Sequence, residues 1–259
     1  YALRDSQPRV LFADAERLER FQACPDLAGT MQVVGVRTAQ LPAGVTPWAE
    51  VITHGGAMPQ ISVDPDADAC IFYTSGTTGH PKGAQLTHRG CVANLMNLLY
   101  AGASAALATE RATGIAPPAE PPMPVLLITT PLFHVTANNC GAYGTTALGG
   151  ALVLMYKWEA GEALRLIEQH RCTSMSGVPV MSREIINHPD FATRDTSSLL
   201  ALSGGGAQVP PDLVLKIEEK IATARPSTGY GMTETCGIIT SLGGDFFVDR
   251  PSSAGPAMP

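Results

Sequence analysis

At 259 residues the chain can bury a sizeable core, and its length suits one large domain or two small ones. A composition 45% hydrophobic, 15% charged and only 6% aromatic is that of a globular protein, and a net charge of -6 with no Lys/Arg cluster argues against a nucleic-acid partner. The six cysteines stand apart, without a CxxC pair or a histidine at zinc-finger spacing, which fits free thiols in a reducing, cytoplasmic setting.

Strand-like runs alternate with amphipathic helices. "RVLFA" (9–13) reads as a strand and "DAERLERFQ" (14–22) as a helix with Leu18 and Phe21 on one face. "MQVVGV" (31–36) is the next strand, followed by a Pro/Gly-broken stretch to Val63. "ACIFYT" (69–74) is a strand, and a helix capped by Thr87 follows, with Val92, Leu95, Met96 and Leu99 at helical spacing. Residues 101–124 are small and proline-clustered and read as a solvated linker between a first α/β subdomain (1–100) and a second (125–259).

In the second half, "VLLITT" (125–130) and "GALVLMY" (150–156) read as buried strands. Helix 161–170, strand 172–176, helix 180–188 and strand 198–204 come next. In the helix at 210–223, Val214, Ile217 and Ile221 define one face, and "CGIITSL" (236–242) is strand-like. Alternation with continuous apolar strands predicts an α/β fold of two largely parallel sheets flanked by helices. No apolar run approaches the roughly 20 residues of a membrane span, so no integral membrane segment is expected. Nor is there an N-terminal signal pattern.

The most informative stretch is "YTSGTTGHPKG" (73–83), directly after a strand. Phosphate needs converging backbone N–H groups, which glycine permits, together with hydroxyl donors and a cation. Thr74, Ser75, Gly76, Thr77, Thr78, Gly79 and Lys82 supply all three. The spacing from Gly76 to Lys82 matches GxxxxGK, but Pro81 replaces the second glycine and Gly83 the magnesium-binding hydroxyl, so this is not a Walker A loop. On residue types alone, a turn of small polar residues and a phosphate contact both remain open.

The whole string resembles the phosphate-binding signature of the adenylate-forming superfamily: acyl-CoA synthetases, luciferases and the adenylation domains of nonribosomal peptide synthetases. Its pattern, [YS]-[TS]-S-G-[TS]-T-G-x-P-K-G, is satisfied at every position from Tyr73 to Gly83. Further segments resemble the family in order. "STGYGMTET" (227–235) resembles the adenine and metal motif, through Gly229, Tyr230, Gly231, Met232, Thr233 and Glu234. The resemblance implies that Tyr230 stacks on adenine, Thr233 donates to the α-phosphate and Glu234 binds Mg2+. It implies that Gly204, Gly205, Gly206 and Ala207 pass beside the base, and that Phe133 and His134 of "PLFH" line the acyl side. "SGVPVM" suggests Val178 and Pro179 as further acyl contacts, although apolar residues there are core by default.

The resemblance further implies an ATP- and CoA-dependent ligase in which a small-molecule carboxylic acid becomes acyl-AMP and then a thioester. Lys82, Thr233, Glu234 and His134 are its candidate catalytic residues. The family's ribose-binding Asp, hinge and C-terminal domain with its Lys find no counterpart before Pro259, so a central piece of the large domain, inactive alone, is expected. Amino-acid-activating members carry an acidic residue after "PLFH", where this chain has Asn138 and Asn139. A buried ammonium without a carboxylate is costly. A fatty acid is therefore the first expectation, an aryl acid the second. An amino-acid-activating domain and a non-catalytic nucleotide-binding module are the further alternatives.

Overall fold

The computed structural model describes residues 1–76, 79–221 and 223–259, the side chain of Ser203 excepted. The chain divides into two compact units: Tyr1–Val63 with Ser75–Gly83, and Asp64–Thr74 with Ala84–Pro259.

The first unit contains α1 (Ala2–Ser6), β1 (Val10–Ala13), α2 (Ala15–Gln22), β2 (Gln32–Gly35), β3 (Val45–Pro47) and α3 (Trp48–Ile52). The three strands form a parallel sheet in the order β1-β2-β3. Asp14 caps α2 by accepting from the Arg17 N–H at 3.1 Å. Its Leu18 is buried with Ala13 and Val33, and Phe21 packs against that small core, as the helical spacing requires.

The second unit begins with β4 (Asp68–Thr74) and the ribbon strand β5 (Lys82–Thr87), whose last four residues belong to this unit. Then follow α4 (His88–Thr113), β6 (Val125–Ile128), a π-helical turn at Thr136–Ala142, α5 (Tyr143–Ala147), β7 (Ala151–Leu154), α6 (Ala160–His170), β8 (Ser174–Ser176) and α7 (Pro179–Asn187). β9 (Ala201–Gly204), α8 (Pro211–Lys220), β10 (Arg225–Met232), β11 (Gly237–Gly243) and α9 (Asp245–Asp249) complete it. The sheet order is β11-β10-β9-β8-β6-β7, parallel throughout except where β11 runs antiparallel to β10.

Strand alternation gives this sheet two unlike faces. Leu127, Met175 and Leu202 point to one side, where α6, α7 and α8 bury Leu164, Ile167, Ile185, Val214 and Ile217 against them. Leu126 and Ile128 point to the other side, toward Ala137 and Ala142 of the π-helical turn. Helices on both faces of a mainly parallel sheet are the expected α/β arrangement.

Two expectations about α4 need correction. Residues 101–113, expected as linker, continue the helix, because the alanine-rich run is a strong helix former and Gly114 ends it in the left-handed conformation at φ 73°. Thr87 does cap its start, accepting from the Gly90 N–H at 3.1 Å. The face turned inward, however, carries Cys91 and Asn94, while Val92 and Met96 are exposed. At 26 residues and with a mean hydropathy of 1.4 in its most apolar window, α4 is long and apolar enough to cross a membrane by length and composition.

Leu202 is fully buried in the main core. Leu202→Ala should lower unfolding stability by about 2–5 kcal/mol in a denaturant titration. A loss under about 0.5 kcal/mol would mean that this face is not the core.

Candidate active site

β7 lies on one side of β6 and β8 on the other, so the chain reverses direction across the sheet between β6 and β8. Crevices open at the carboxyl ends of strands at such a switch point. Here the crevice is enlarged by small residues. Ser174 and Ser176 flank Met175 and face away from the core, and Ser227, Gly229 and Gly231 of β10 extend the same hollow. The π-helical turn and Leu98 and Leu99 of α4 wall it on the other side. The result is a cleft of about 520 Å³, the size of a small-molecule site. Among the described residues, no Asp, Glu, Lys or Arg lines it.

Gly204, Gly205 and Gly206 line this cleft together with Gly229, Tyr230, Gly231, Met232 and Thr233. A second hollow of about 410 Å³ shares Gly206 and Thr228 to Gly231 with the first and adds Ala207 and Val209. Tyr230, 52% exposed, thus stands at the border of both. Glu234 is exposed on the 3-10 turn Thr233–Thr235.

His134 lines the first cleft, whereas Phe133, whose ring lies 4.8 Å from the His134 ring, is 68% exposed and outside the lining. Val178 and Pro179 sit behind the glycine loop: a Cβ on Gly206 would come within 3.8 Å of Val178 Cγ1, and one on Gly204 within 3.2 Å of Pro179 Cγ. Thr74 ends β4 in the second unit, while Ser75, Gly76, Gly79 and Lys82 belong to the first. Gly76 and Gly79 take φ of 62° and 88°, and a Cβ at Gly76 would meet the His80 carbonyl oxygen at 2.4 Å. The motif's demand for glycine is therefore real at both positions. Thr77 and Thr78 lie outside the described residues.

Sequence reasoning missed what holds the Thr233–Glu234 segment. Asn94 and Asn139 are buried, 3% and 0% exposed. The Asn94 amide donates to the Asn139 carbonyl at 3.1 Å, and the Ile238 N–H donates to Asn94 Oδ1 at 2.8 Å. The Asn139 amide donates to the Cys236 carbonyl at 2.9 Å, and Asn138 donates to Asn139 Oδ1 at 3.0 Å. One glycine makes room for this network and a second for the strand pairing beside it. A Cβ on Gly237 would lie 2.4 Å from Asn94 Oδ1, and one on Gly231 only 1.9 Å from the Gly237 carbonyl oxygen. The one available signal was the pair of asparagines after "PLFH", noticed only because it is not acidic.

Burial governs the neighbouring thiols. It pushes Cys140, which lines the cleft, up to about 11, and Cys70, beside Cys91 with sulfurs 3.9 Å apart, up to about 12. Both stay protonated at neutral pH, so neither offers a thiolate nucleophile.

The family description "AMP-binding enzyme" matches residues 1–259. This chain belongs to the AMP-binding enzyme family. The chain is 32% identical to a feruloyl-CoA synthase from Amycolatopsis sp over 256 residues, 98% of this chain and 45% of that protein. It is 31% identical to 4-coumarate-CoA ligase 1 of Narcissus pseudonarcissus, over 83% of this chain and 37% of the relative. Among solved structures, a long-chain-fatty-acid-CoA ligase from Archaeoglobus fulgidus superposes with a TM-score of 0.75 at 26% identity, covering 98% of this chain and 48% of that one. The chain thus spans between 37% and 48% of the length of these relatives.

Replacing Asn139 by Ala strips donors from a buried carbonyl and leaves polar groups unpaired. Asn139→Ala should cost about 1–3 kcal/mol, seen as a lowered denaturant midpoint at unchanged slope. An unchanged midpoint would contradict the role given to this amide.

Proposed function

We propose that the complete protein is an ATP-dependent ligase that activates an aryl carboxylic acid as acyl-AMP and transfers the acyl group to CoA. The observation that carries this reading is the uncharged cleft at the sheet's switch point, lined by the same Gly204–Gly206 and Gly229–Thr233 segments that border the second hollow. An amino-acid substrate would leave its ammonium without a carboxylate partner in that cleft. Relatives named for feruloyl and 4-coumarate substrates favour an aryl acid over the fatty acid first expected. A fatty-acid ligase is the second reading, favoured by the likeness to the Archaeoglobus fulgidus enzyme. Six free cysteines fit a reducing compartment.

In this reading the second hollow takes the adenine. Gly206 and Gly229 present no side chain to obstruct a flat base, and the Tyr230 ring offers a π face beside it. The acid lies in the first cleft with its carboxylate toward His134 and Thr233. Thr233 supplies a hydrogen-bond donor to the α-phosphate as the carboxylate attacks and pyrophosphate leaves. The resemblance at Tyr73–Gly83 suggests that Lys82 and the glycines and hydroxyls of that motif take the leaving phosphates, donors whose kind lowers a barrier when charge develops on them. Glu234, an exposed oxygen donor, would hold magnesium, which supplies charge neutralisation when bound. His134 and Thr233 border the cleft where the CoA thiol must reach the acyl carbon, and the protonated Cys140 does not compete with it.

In the complete protein, Lys82→Ala and Glu234→Ala should each lower kcat/KM for acid-dependent ATP–pyrophosphate exchange by about 100-fold while the melting temperature holds. If both variants exchange normally, the assignment is wrong. Exchange across a panel of aryl, fatty and amino acids should be driven best by aryl acids. A panel in which only amino acids work would refute the reading.

A further inference from the structure

β10 and β11 are the two arms of a hairpin, and Met232 pairs in register with Gly237 at its end. The residues between them, Thr233 to Cys236, form the loop. Thr233 and Glu234, the phosphate donor and the metal ligand of the reading above, come first in it. Among the described residues, neither side chain makes a hydrogen bond of its own. Both therefore inherit their placement from the backbone of the loop.

The two sides of that loop are held unequally. On the exit side Cys236 takes a left-handed φ of 62°, a strained conformation for a residue with a Cβ. Such strain persists only where the surroundings enforce it. Here they do, because the Cys236 side chain is buried in the cluster of Phe72 and Cys91 and its carbonyl accepts from the Asn139 amide. On the entry side Met232 is 44% exposed, and the ladder shifts register between Tyr230 and Gly231 just before it. One hydroxyl joins the two sides. Thr235 Oγ1 accepts from the Met232 N–H at 3.2 Å and lies in donating range of the Met232 carbonyl at 2.9 Å and the Gly237 carbonyl at 3.0 Å. A hydroxyl both accepts and donates, so it can take the entry N–H while giving its proton to the exit carbonyl. Thr235 is exposed and adds nothing to the apolar core, so its contribution lies in this bridge.

We propose that Thr235 is a positioning residue whose hydroxyl locks the hairpin tip, so that Thr233 and Glu234 are already in place when the nucleotide and its metal arrive. This inference rests on the roles given to Thr233 and Glu234 above. Thr235 touches neither nucleotide nor metal and acts through the backbone at Met232 and Gly237. Glu234 offers magnesium a single carboxylate, which suits an ion that draws its other ligands from phosphate oxygens and water. With one protein ligand, affinity depends on how firmly that ligand is held. Groups that orient a metal ligand without touching the metal commonly change affinity by about 10- to 100-fold when removed.

The test uses the complete protein and reads binding of Mn2+–ATP by electron paramagnetic resonance, with neither acid nor CoA present. Thr235→Val, which removes the hydroxyl and keeps the branched shape, should raise the dissociation constant by about tenfold. Amide exchange at residues 232–236 of the nucleotide-free variant should quicken while exchange elsewhere holds. Thr235→Ser, which keeps the hydroxyl, should bind and exchange like the parent. Thermal melting verifies that each variant is folded, and Thr235→Ala removes the same hydroxyl should the valine not be accommodated. Parent-like Mn2+–ATP affinity in a folded variant lacking the hydroxyl overturns the inference, as does equal weakening by Thr235→Ser. If Glu234→Ala weakens Mn2+–ATP binding in the same assay, the metal-ligand reading survives that failure. If Glu234→Ala binds like the parent, both fall.

Discussion

Two buried side-chain amides set the geometry on which the second unit's cleft depends. Asn94 and Asn139 tie α4, the π-helical turn and the start of β11 to one another. The carbonyl and N–H they satisfy, at Cys236 and Ile238, flank the turn that immediately follows Thr233 and Glu234. The network tolerates no Cβ at Gly237, and the β10–β11 pairing beside it leaves none at Gly231. A buried polar network of this kind is specifying when every member is satisfied and costly when one is removed. It converts a glycine-rich segment, which alone would have many conformations, into one fixed wall of a cleft.

The same economy shapes the rest of the site. A parallel sheet covered on both faces normally buries large residues on each, and here one face does so through Leu127, Met175 and Leu202. On the other, Ser174, Ser176 and the glycines of β9 and β10 leave space. The π-helical turn that roofs this space begins two residues after His134, and π geometry is found preferentially at functional sites. The cleft therefore arises from strand alternation plus one local departure from α-helix. Its polarity comes from hydroxyls, backbone groups and the His134 ring, and its thiol is held protonated by burial.

Much of this was legible in the sequence. The match from Tyr73 to Gly83 fixed the family, since Pro81 and Gly83 exclude the competing phosphate-loop reading. Strands β6, β8 and β9 and the cap at Thr87 were read from periodicity and residue type. β7 was expected as a buried strand, but it is the edge of the sheet, and Leu152 and Leu154 are exposed there because no described strand covers that side. β10 was not, because Pro226, Gly229 and Gly231 imitate a loop. It is a strand because β9 and β11 supply ladders on either side, and pairing with β11 begins only at Ser227, beyond the proline. The inward face of α4 was misjudged for a related reason: hydrophobic spacing favoured Val92 and Met96, whereas a long-range amide pairing turned Asn94 inward. Periodicity reports apolar burial and is blind to a satisfied polar contact 144 residues away.

The account claims that acid and nucleotide occupy adjoining hollows on either side of Tyr230. A crystal structure of the complete protein with a non-hydrolysable aroyl-AMP analogue measures this directly. The account predicts the base between Ala207 and Tyr230, and the ring in the cleft against Leu126 and Ser176. A structure with the base in that cleft, or with the ring outside it, would contradict the account.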